Sequence, residues 1–310
     1  VMIASAWKQM AALPMLIACG SAIDARAQSS PPSGDEIVVQ AELEKAERQV
    51  EALTREITRR PRTDKPISKR YSAVCVGVYG LSADFAHVLI SRIEENARTL
   101  GIHVLGKGCQ VNTLVAFTND SRAEIERLRK AEPWLFETLL DYEYDRILRG
   151  NGAAQAWHST QVKGADGKPF RTEMLPCPPA CPPRAAEIND QAFASNISQQ
   201  LRVDIEGSIV VFDNAHVPGK SIQQLADYAS MRLFAPTDDV SNGAPGEMST
   251  ILSLFAEDGD APDGLTAFDR AYLGALYKLP ATARGAAIHD ATWAAYRQGR
   301  YEIAGSSDTD

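Results

Sequence analysis

Few residues in this chain have the types and spacing that chemistry requires, and of its five histidines only one lies in a site-like context. His158 stands between Trp157 and Ser159 on a predicted strand, "AAQAWHSTQV". An imidazole there can act as a general base for a hydroxyl brought from elsewhere in the fold, the chemistry of a hydrolase with a Ser or Asp partner. The alternative is a half-buried, hydrogen-bonded histidine with a purely structural role. His87 falls on an amphipathic helix, His103 and His216 in loops, and His289 near the final helix. None forms the His-x-x-x-His pair that sets two imidazoles one helical turn apart on a metal.

A second candidate is the stretch "VVFDNAHVPGKSIQQLADYASMRL", residues 210–233, which reads as a strand, a loop carrying Gly219-Lys220-Ser221, and a helix. A phosphate-binding loop needs a glycine where Asn214 stands, so that the backbone can wrap the phosphates. Pro218 stiffens the turn further. The triplet is read instead as a turn glycine, an exposed lysine and an N-cap, with Ser221-x-x-Gln224 forming a capping box. The acids Glu137, Asp141, Glu143 and Asp145 resemble paired catalytic carboxylates in spacing, but they fit the solvated face of an amphipathic helix.

The cysteines point to covalent structure. Beyond Cys19, four remain: Cys75, Cys109, Cys177 and Cys181, an even count that favours disulfides in an oxidising compartment. Cys75 lies in one predicted strand and Cys109 just before the next, so a Cys75–Cys109 bridge is expected. Cys177 and Cys181 sit in the rigid insertion "PCPPACPPRAA", with too few ligands nearby for structural zinc. A local bridge requires the loop to bend, because an extended polyproline path would part the two Cα atoms by roughly 12 Å. Whether these two pair with each other is left open. No cofactor and no metal are expected.

Export is the reading of the N-terminus. Lys8 precedes the short apolar run "MAALPMLIA", and Ala25-Arg26-Ala27 fits a small-x-small cleavage site, which makes residues 1–27 a signal peptide cut before Gln28. In an alternative reading "LIAC" is a lipoprotein signal and Cys19 an outer-membrane lipid anchor. A cytosolic N-terminal helix is the third, which Pro14 opposes. The formal charge of -8 becomes -9 once residues 1–27, with Lys8, Arg26 and Asp24, are removed. That acidity argues against nucleic acid or anionic lipid as the main partner. No later apolar run reaches transmembrane length.

With 45% hydrophobic and 23% charged residues, the mature chain can bury one large core or two modest ones. Residues 28–66 are read as a Pro/Ser-rich leader and a charged helix. Leu43, Ala46, Val50, Leu53 and Ile57 form one apolar stripe on that helix, suited to docking on its own domain or to a free spacer. Residues 67–300 are read as one α+β domain, and 301–310 as a flexible tail. Its first part, 67–150, holds a parallel βαβ element. Val74, Val76 and Val78 share a strand face; a Ser82-capped helix presents Phe85, Leu89, Ile93, Ala97 and Leu100; and residues 111–118 form the second strand. Ser121-x-x-Glu124 is read as a capping box, and one helix follows Pro133 with Trp134, Leu135, Leu139, Leu140, Tyr144, Ile147 and Leu148. In 151–300, "AAQAWHSTQV" and "FRTEML" are predicted strands joined by a turn, and "LRVDIEGSIVVFD" two short strands around Glu206-Gly207.

Residues 203–277 carry "LADYASMRL" and then "ILSLFAEDGDAPDGLTAFDRAYLGALY". They resemble an exported proteobacterial domain of unknown function related to the metzincin-like zinc peptidases, whose pattern is a His-Glu helix followed by "SIFND" and "LT-x-x-D" segments. The resemblance implies a degenerate metzincin-like mixed α/β region. Leu225 stands where that family's first zinc histidine would be, Ala226 at its glutamate, and Ala229 at the next metal-facing position. None of the three can ligate a metal, and the neighbouring Asp227 and Tyr228 cannot replace two imidazole nitrogens. The implied role is a non-catalytic envelope protein that binds or scaffolds a protein or cell-wall partner. The rival is an envelope hydrolase built on His158. An apolar groove along the helix 225–233 would favour the first, and a cleft where His158 meets a nucleophile the second.

Overall fold

The computed structural model describes residues 34–59, 65–150, 152–175, 184–190, 200–240, 248–256 and 261–307. The chain divides after Glu42, and the unit Leu43–Asp310 holds the sheet and the candidate site. The expected leader segment before Gly34, Cys19, and the pair Cys177 and Cys181 lie outside the described residues.

The fold is α+β. Helix α1 (Gly34–Ile57) leads to strand β1 (Val76–Tyr79), α2 (Ala83–Thr99) and β2 (Thr113–Thr118). Then come α3 (Ser121–Ala131), a single 3-10 turn (Pro133–Leu135), α4 (Asp141–Arg149) and the long strand β3 (Ala154–Gly164). A small hairpin of β4 (Arg171–Leu175) and β5 (Arg184–Ile188) precedes the 13-residue β6 (Leu201–Asp213). Helices α5 (Ile222–Phe234), α6 (Ala267–Lys278) and α7 (Ala287–Ser307) complete the order. The main sheet runs β1-β2-β6-β3, with β1, β2 and β6 parallel and β3 antiparallel to β6.

Both faces of this sheet are covered, and the period of two along each strand assigns the side chains to layers. Val115 and Phe117 of β2 and Val210 and Phe212 of β6 face α1, α2, α5, α6 and α7. Ala116, Ile209 and Val211 face the other way, onto α3, α4 and Trp157. Strands buried on both faces read as continuous apolar runs, which is why "SIVVFD" lacks polar alternation. The stripe on α1 docks on the body, with Val50, Leu53 and Ile57 fully buried. Each such burial contributes about 1.5–3 kcal/mol.

The parallel β1-α2-β2 element forms as predicted, with Val76 paired to Thr113 and Val78 to Val115. Several local details differ. Phe85 is exposed rather than part of the packed stripe of α2, because that helix starts beyond the edge of the core that receives Leu89, Ile93 and Ala97. Asp120, not Ser121, caps α3 by accepting from the Ala123 amide, and Glu124 instead pairs with Arg127. The helix predicted after Pro133 is a 3-10 turn followed by α4, whose first turn is closed by Glu143 accepting from the Leu140 amide. Strand β4 pairs with β5 rather than with β3, so the Pro-rich insertion joins Leu175 to its ladder partner Arg184.

The two short strands expected around Glu206-Gly207 are one strand with a bulge. Ser159 pairs with Gly207 and Thr160 with Ile205, which leaves Glu206 as the extra residue. Gly207 is there for packing: a Cβ at this position would lie 2.7 Å from Cζ3 of Trp134.

Cys75 and Cys109 form a disulfide with Cα atoms 6.0 Å apart and a sequence separation of 34. It ties the start of β1 to the loop that enters β2. Replacing both by serine is expected to cost about 2–4 kcal/mol, since the bridge closes a long loop in the unfolded chain. Urea unfolding of the oxidised protein and the double variant measures this, and non-reducing peptide mapping verifies the pairing.

Candidate functional site

Helix α5 follows β6 through a turn in which Gly219 adopts φ +84°, a left-handed conformation that glycine takes without strain. Lys220 lies half-buried, its Nζ 6.0 Å from the centre of the Phe255 ring. Ser221 and Gln224 then form the reciprocal cap that the sequence predicts. From Leu225 to Phe234 every residue of the helix is buried. Leu225, Ala226 and Ala229 all lie within the core cluster, and the two alanines add little bulk where α2 runs close by. A helix enclosed on all sides presents no groove, so the apolar groove along residues 225–233 that would favour a binding role is not formed.

The charged groups of α5 are tied down. Asp227 is wholly buried and accepts from Arg92 through Nε at 2.8 Å and Nη2 at 3.0 Å, from Asn96 Nδ2 at 2.8 Å, and from the Leu265 amide at 3.0 Å. These bonds to Asp227 raise the pKa of Arg92. Gly264 leaves room for this carboxylate, because a Cβ there would come within 2.5 Å of its Oδ2. The phenol of Tyr228 donates to Asp239, which also takes Arg232 Nη1 at 2.9 Å.

A second buried carboxylate explains the "LT-x-x-D" pattern. Asp269 accepts from the Thr250 hydroxyl, from the Ile251 amide at 2.8 Å, from the Thr266 amide at 2.9 Å and from Thr266 Oγ1 at 3.0 Å. Burial raises its pKa, against the four bonds that favour the anion. It caps α6 and clamps the "TILSLF" segment in one set of contacts. Asp227 and Asp269 are thus structural joints. Sequence reading missed both roles, although an acid within an apolar helical run and an acid three residues after a threonine were visible signals.

His158 lies on the sheet face opposite to Trp157 and is the one buried histidine among the described residues. Its ring donates to the carbonyl of Leu233, and its Nε2, closed off from solvent, has no hydrogen-bond partner among the described residues. Burial, followed by the guanidiniums of Arg59, Arg70 and Arg232, lowers its pKa to about 3. The expectation of a half-buried, hydrogen-bonded histidine is therefore corrected: the ring is buried and bonded on one side only.

The ring lines a half-open cleft of about 130 Å³ together with Arg59, Lys65, Ser68, Thr138, Glu143 and Thr160. Arg59 is held by Asp238 at 2.9 Å and 3.1 Å. Burial raises the Asp238 carboxyl and Arg59 more than reverses it, leaving a lowered pKa. Arg70 is buried on four neutral acceptors, Ser72 Oγ, the Glu206 and Asn112 carbonyls and Ser208 Oγ. Burial brings its pKa down to about 10, with Tyr277 and the Glu206 carboxylate opposing the shift. Ser68 and Thr160 share the cleft with His158, yet neither hydroxyl is bonded to Nε2. The cleft brings a histidine and hydroxyls together but does not align them as a nucleophile and its base.

His87, His103 and His216 are exposed and His289 half-buried. Among the described residues no group of three or more His, Cys, Asp or Glu side chains could hold a metal ion, and no helix is long and apolar enough to cross a membrane. Comparison with family models, with curated proteins and with solved structures finds no match to the chain.

Proposed function

We propose that this chain is a non-catalytic envelope protein that binds or scaffolds a cell-wall or protein partner, on a metzincin-like scaffold without the zinc chemistry. The observation that supports the absence of zinc chemistry is the burial of Leu225, Ala226 and Ala229 in the core, where they contribute packing and no ligand atoms; α5 offers no groove for a partner, so the binding role rests on the sequence resemblance and on the unaligned histidine and hydroxyls of the His158 cleft, which argue against catalysis. The Cys75–Cys109 bridge supports export, since structural disulfides persist in oxidising compartments. The signal at residues 1–27, or a lipid anchor at Cys19, belongs to the same reading.

The rival, a hydrolase based on His158, draws on the presence of Ser68 and Thr160 in the same cleft. A general base works best with a pKa near the working pH. A ring whose pKa is lowered to about 3 is a poor one, and proton transfer to it would create an imidazolium beside three guanidiniums. This electrostatic cost favours binding over catalysis.

Purified mature protein is expected to contain substoichiometric zinc by elemental analysis, to leave unstructured protein substrates intact, and to take up no serine-directed fluorophosphonate at Ser68. One zinc per chain with chelator-reversible proteolysis, or stoichiometric labelling of Ser68 that His158→Asn abolishes, would overturn the proposal.

A further inference from the structure

Strand β1 forms one edge of the main sheet, and its outward backbone groups are unused. The ladder to β2 engages its odd-numbered residues, with the Thr113 amide donating to the Cys75 carbonyl at 3.1 Å, so the amides and carbonyls of Val76 and Val78 point away from the sheet. Val74, on the same side, is closed by residues 103–105. Its amide donates to the His103 carbonyl and its carbonyl accepts from the Leu105 amide, both at 2.8 Å. Beyond that single bridge, Val76 and Val78 have no backbone partner on this side among the described residues. Sheet edges are commonly blunted by lysine, proline or a bulge, and Val-Gly-Val-Tyr has none of these.

A cleft of about 430 Å³ lies beside the same strand, between β1, β2 and α3. Gly77, Val78 and Tyr79 line one side of it, and Leu114, Leu128 and Trp134 the others. Val78 sends its side chain to the opposite core, so it meets the cleft with its main chain. The core on the α3 side includes no residue of β1, and at the rim Tyr79 is 54% and Val111 44% exposed. The loop that carries Val111 is fixed in advance. Asn112 Oδ1 accepts from the Cys75 amide at 3.0 Å, its Nδ2 donates to the Ala73 carbonyl at 2.8 Å, and the Cys75–Cys109 bridge holds the loop start. The charges in the wall are already engaged: Arg127 donates to Glu124 at 2.9 Å, and Glu132 accepts from Trp134 Nε1 at 2.9 Å.

We propose that an extended peptide segment of a partner protein adds to β1 as a further strand of the sheet, with one large apolar side chain of that segment entering the cleft beside Tyr79. The proposal rests on the binding reading and names its partner as a protein. Alternating free amides and carbonyls along an edge match a peptide backbone, and a pocket beside the edge then selects one of the alternate side chains. The strand is four residues long, so a stretch of similar length suffices. A cleft of this volume falls within the roughly 300–1,000 Å³ of ligand pockets, and its aromatic and aliphatic lining with internally paired charges suits an uncharged side chain such as phenylalanine. A second copy is the weaker occupant. Pairing β1 with its own copy would engage four residues a side, against the roughly 20–30 of a stable interface.

The test is an NMR titration of 15N-labelled mature protein with the blocked peptide acetyl-Thr-Thr-Phe-Thr-Thr-amide and with its analogue carrying alanine in place of phenylalanine. The amide protons of Val76 and Val78 are expected to move downfield together, with a dissociation constant on the order of 1 mM. The alanine analogue should bind about tenfold more weakly or worse, because the cleft is left unfilled. Two further analogues, N-methylated on alternate sets of residues, separate backbone pairing from side-chain burial. The one methylated on the set that faces β1 should lose about tenfold, and the other should bind like the parent. Val111→Asp, with an unchanged thermal midpoint, should remove the preference for phenylalanine over alanine. No response of Val76 and Val78 at about 5 mM peptide, equal affinity for the phenylalanine and alanine peptides, or equal affinity for the two methylated analogues would overturn the proposal. So would shifts of the two amides on raising the protein concentration alone, which would assign the edge to a second copy. Binding of tri-N-acetylchitotriose at the cleft without any response to the peptides would overturn the proposal and leave the binding reading intact. Cleavage of the peptide by the protein would overturn the non-catalytic reading itself.

Discussion

Replacement of Asp227 by alanine is expected to cost about 3–5 kcal/mol, because it leaves a charged partner and two polar ones without their common acceptor. The carboxylate lies fully buried between α5, α2 and the segment entering α6, and it accepts from Arg92, Asn96 and the Leu265 amide. Without it, Asn96 keeps its bond to Ser230 Oγ, but the guanidinium of Arg92 retains only Glu95 on the surface. The Leu265 amide loses the bond that fixes the approach to α6. Removing one member of such a group costs more than removing the group, since an apolar replacement of the whole pair has no stranded charge. The double variant Asp227→Leu with Arg92→Met is therefore expected to be more stable than Asp227→Ala alone. Urea unfolding of the three proteins forms the test. A loss below about 1 kcal/mol for Asp227→Ala would mean that the network is not the joint described here.

Acid should destabilise the protein steeply through His158. The unfolded ring titrates near 6.5, and the folded ring at about 3. Between these values the unfolded chain binds a proton that the folded chain excludes, so stability is complete above pH ~6.5 and falls as the pH drops. The slope approaches about 1.4 kcal/mol per pH unit, which amounts to on the order of 3 kcal/mol by pH ~4. Two carboxylates elsewhere in the fold modify the lower end of the range. Asp269, raised by burial, takes up its proton earlier in the folded state and opposes the loss. Asp238, pushed up by burial but drawn down further by Arg59, adds to the loss only below its ordinary range. His158→Asn separates these contributions. Between pH 7 and 5 its unfolding free energy should be nearly flat where the parent protein declines, and parallel curves for the two proteins would refute the assignment.

Much of the scaffold was legible because one local rule dominated each segment. The stripe on α1, the apolar run in β6 and the Ser221-Gln224 cap depend on spacing alone, and each forms as read. The Cys75–Cys109 pairing followed from placing the two cysteines on adjacent strands. Misreadings arose where a distant residue decided the outcome. Glu206-Gly207 has the composition of a turn, but Trp134 packs on Gly207 and the strand continues through a bulge. Asp227 looked like an acid beside a phenol, since nothing near it in sequence reveals that Arg92 and Asn96, one helical turn apart on α2, converge on it. His158 was singled out by its sequence context, but its burial depends on α5, and its electrostatic state on three arginines that the fold brings together. Composition cannot supply that convergence.

The central claim is that His158 is a buried, neutral imidazole and not the base of a hydrolase. Its most direct test is the pH titration of the His158 ring nitrogens by 15N NMR in the folded mature protein. The predicted result is a neutral ring throughout pH 7 to 5, with the proton on Nδ1, next to Leu233, and an unprotonated Nε2. A ring that titrates near 6.5 or above in the folded protein would contradict the account, and would restore His158 as a candidate catalytic base.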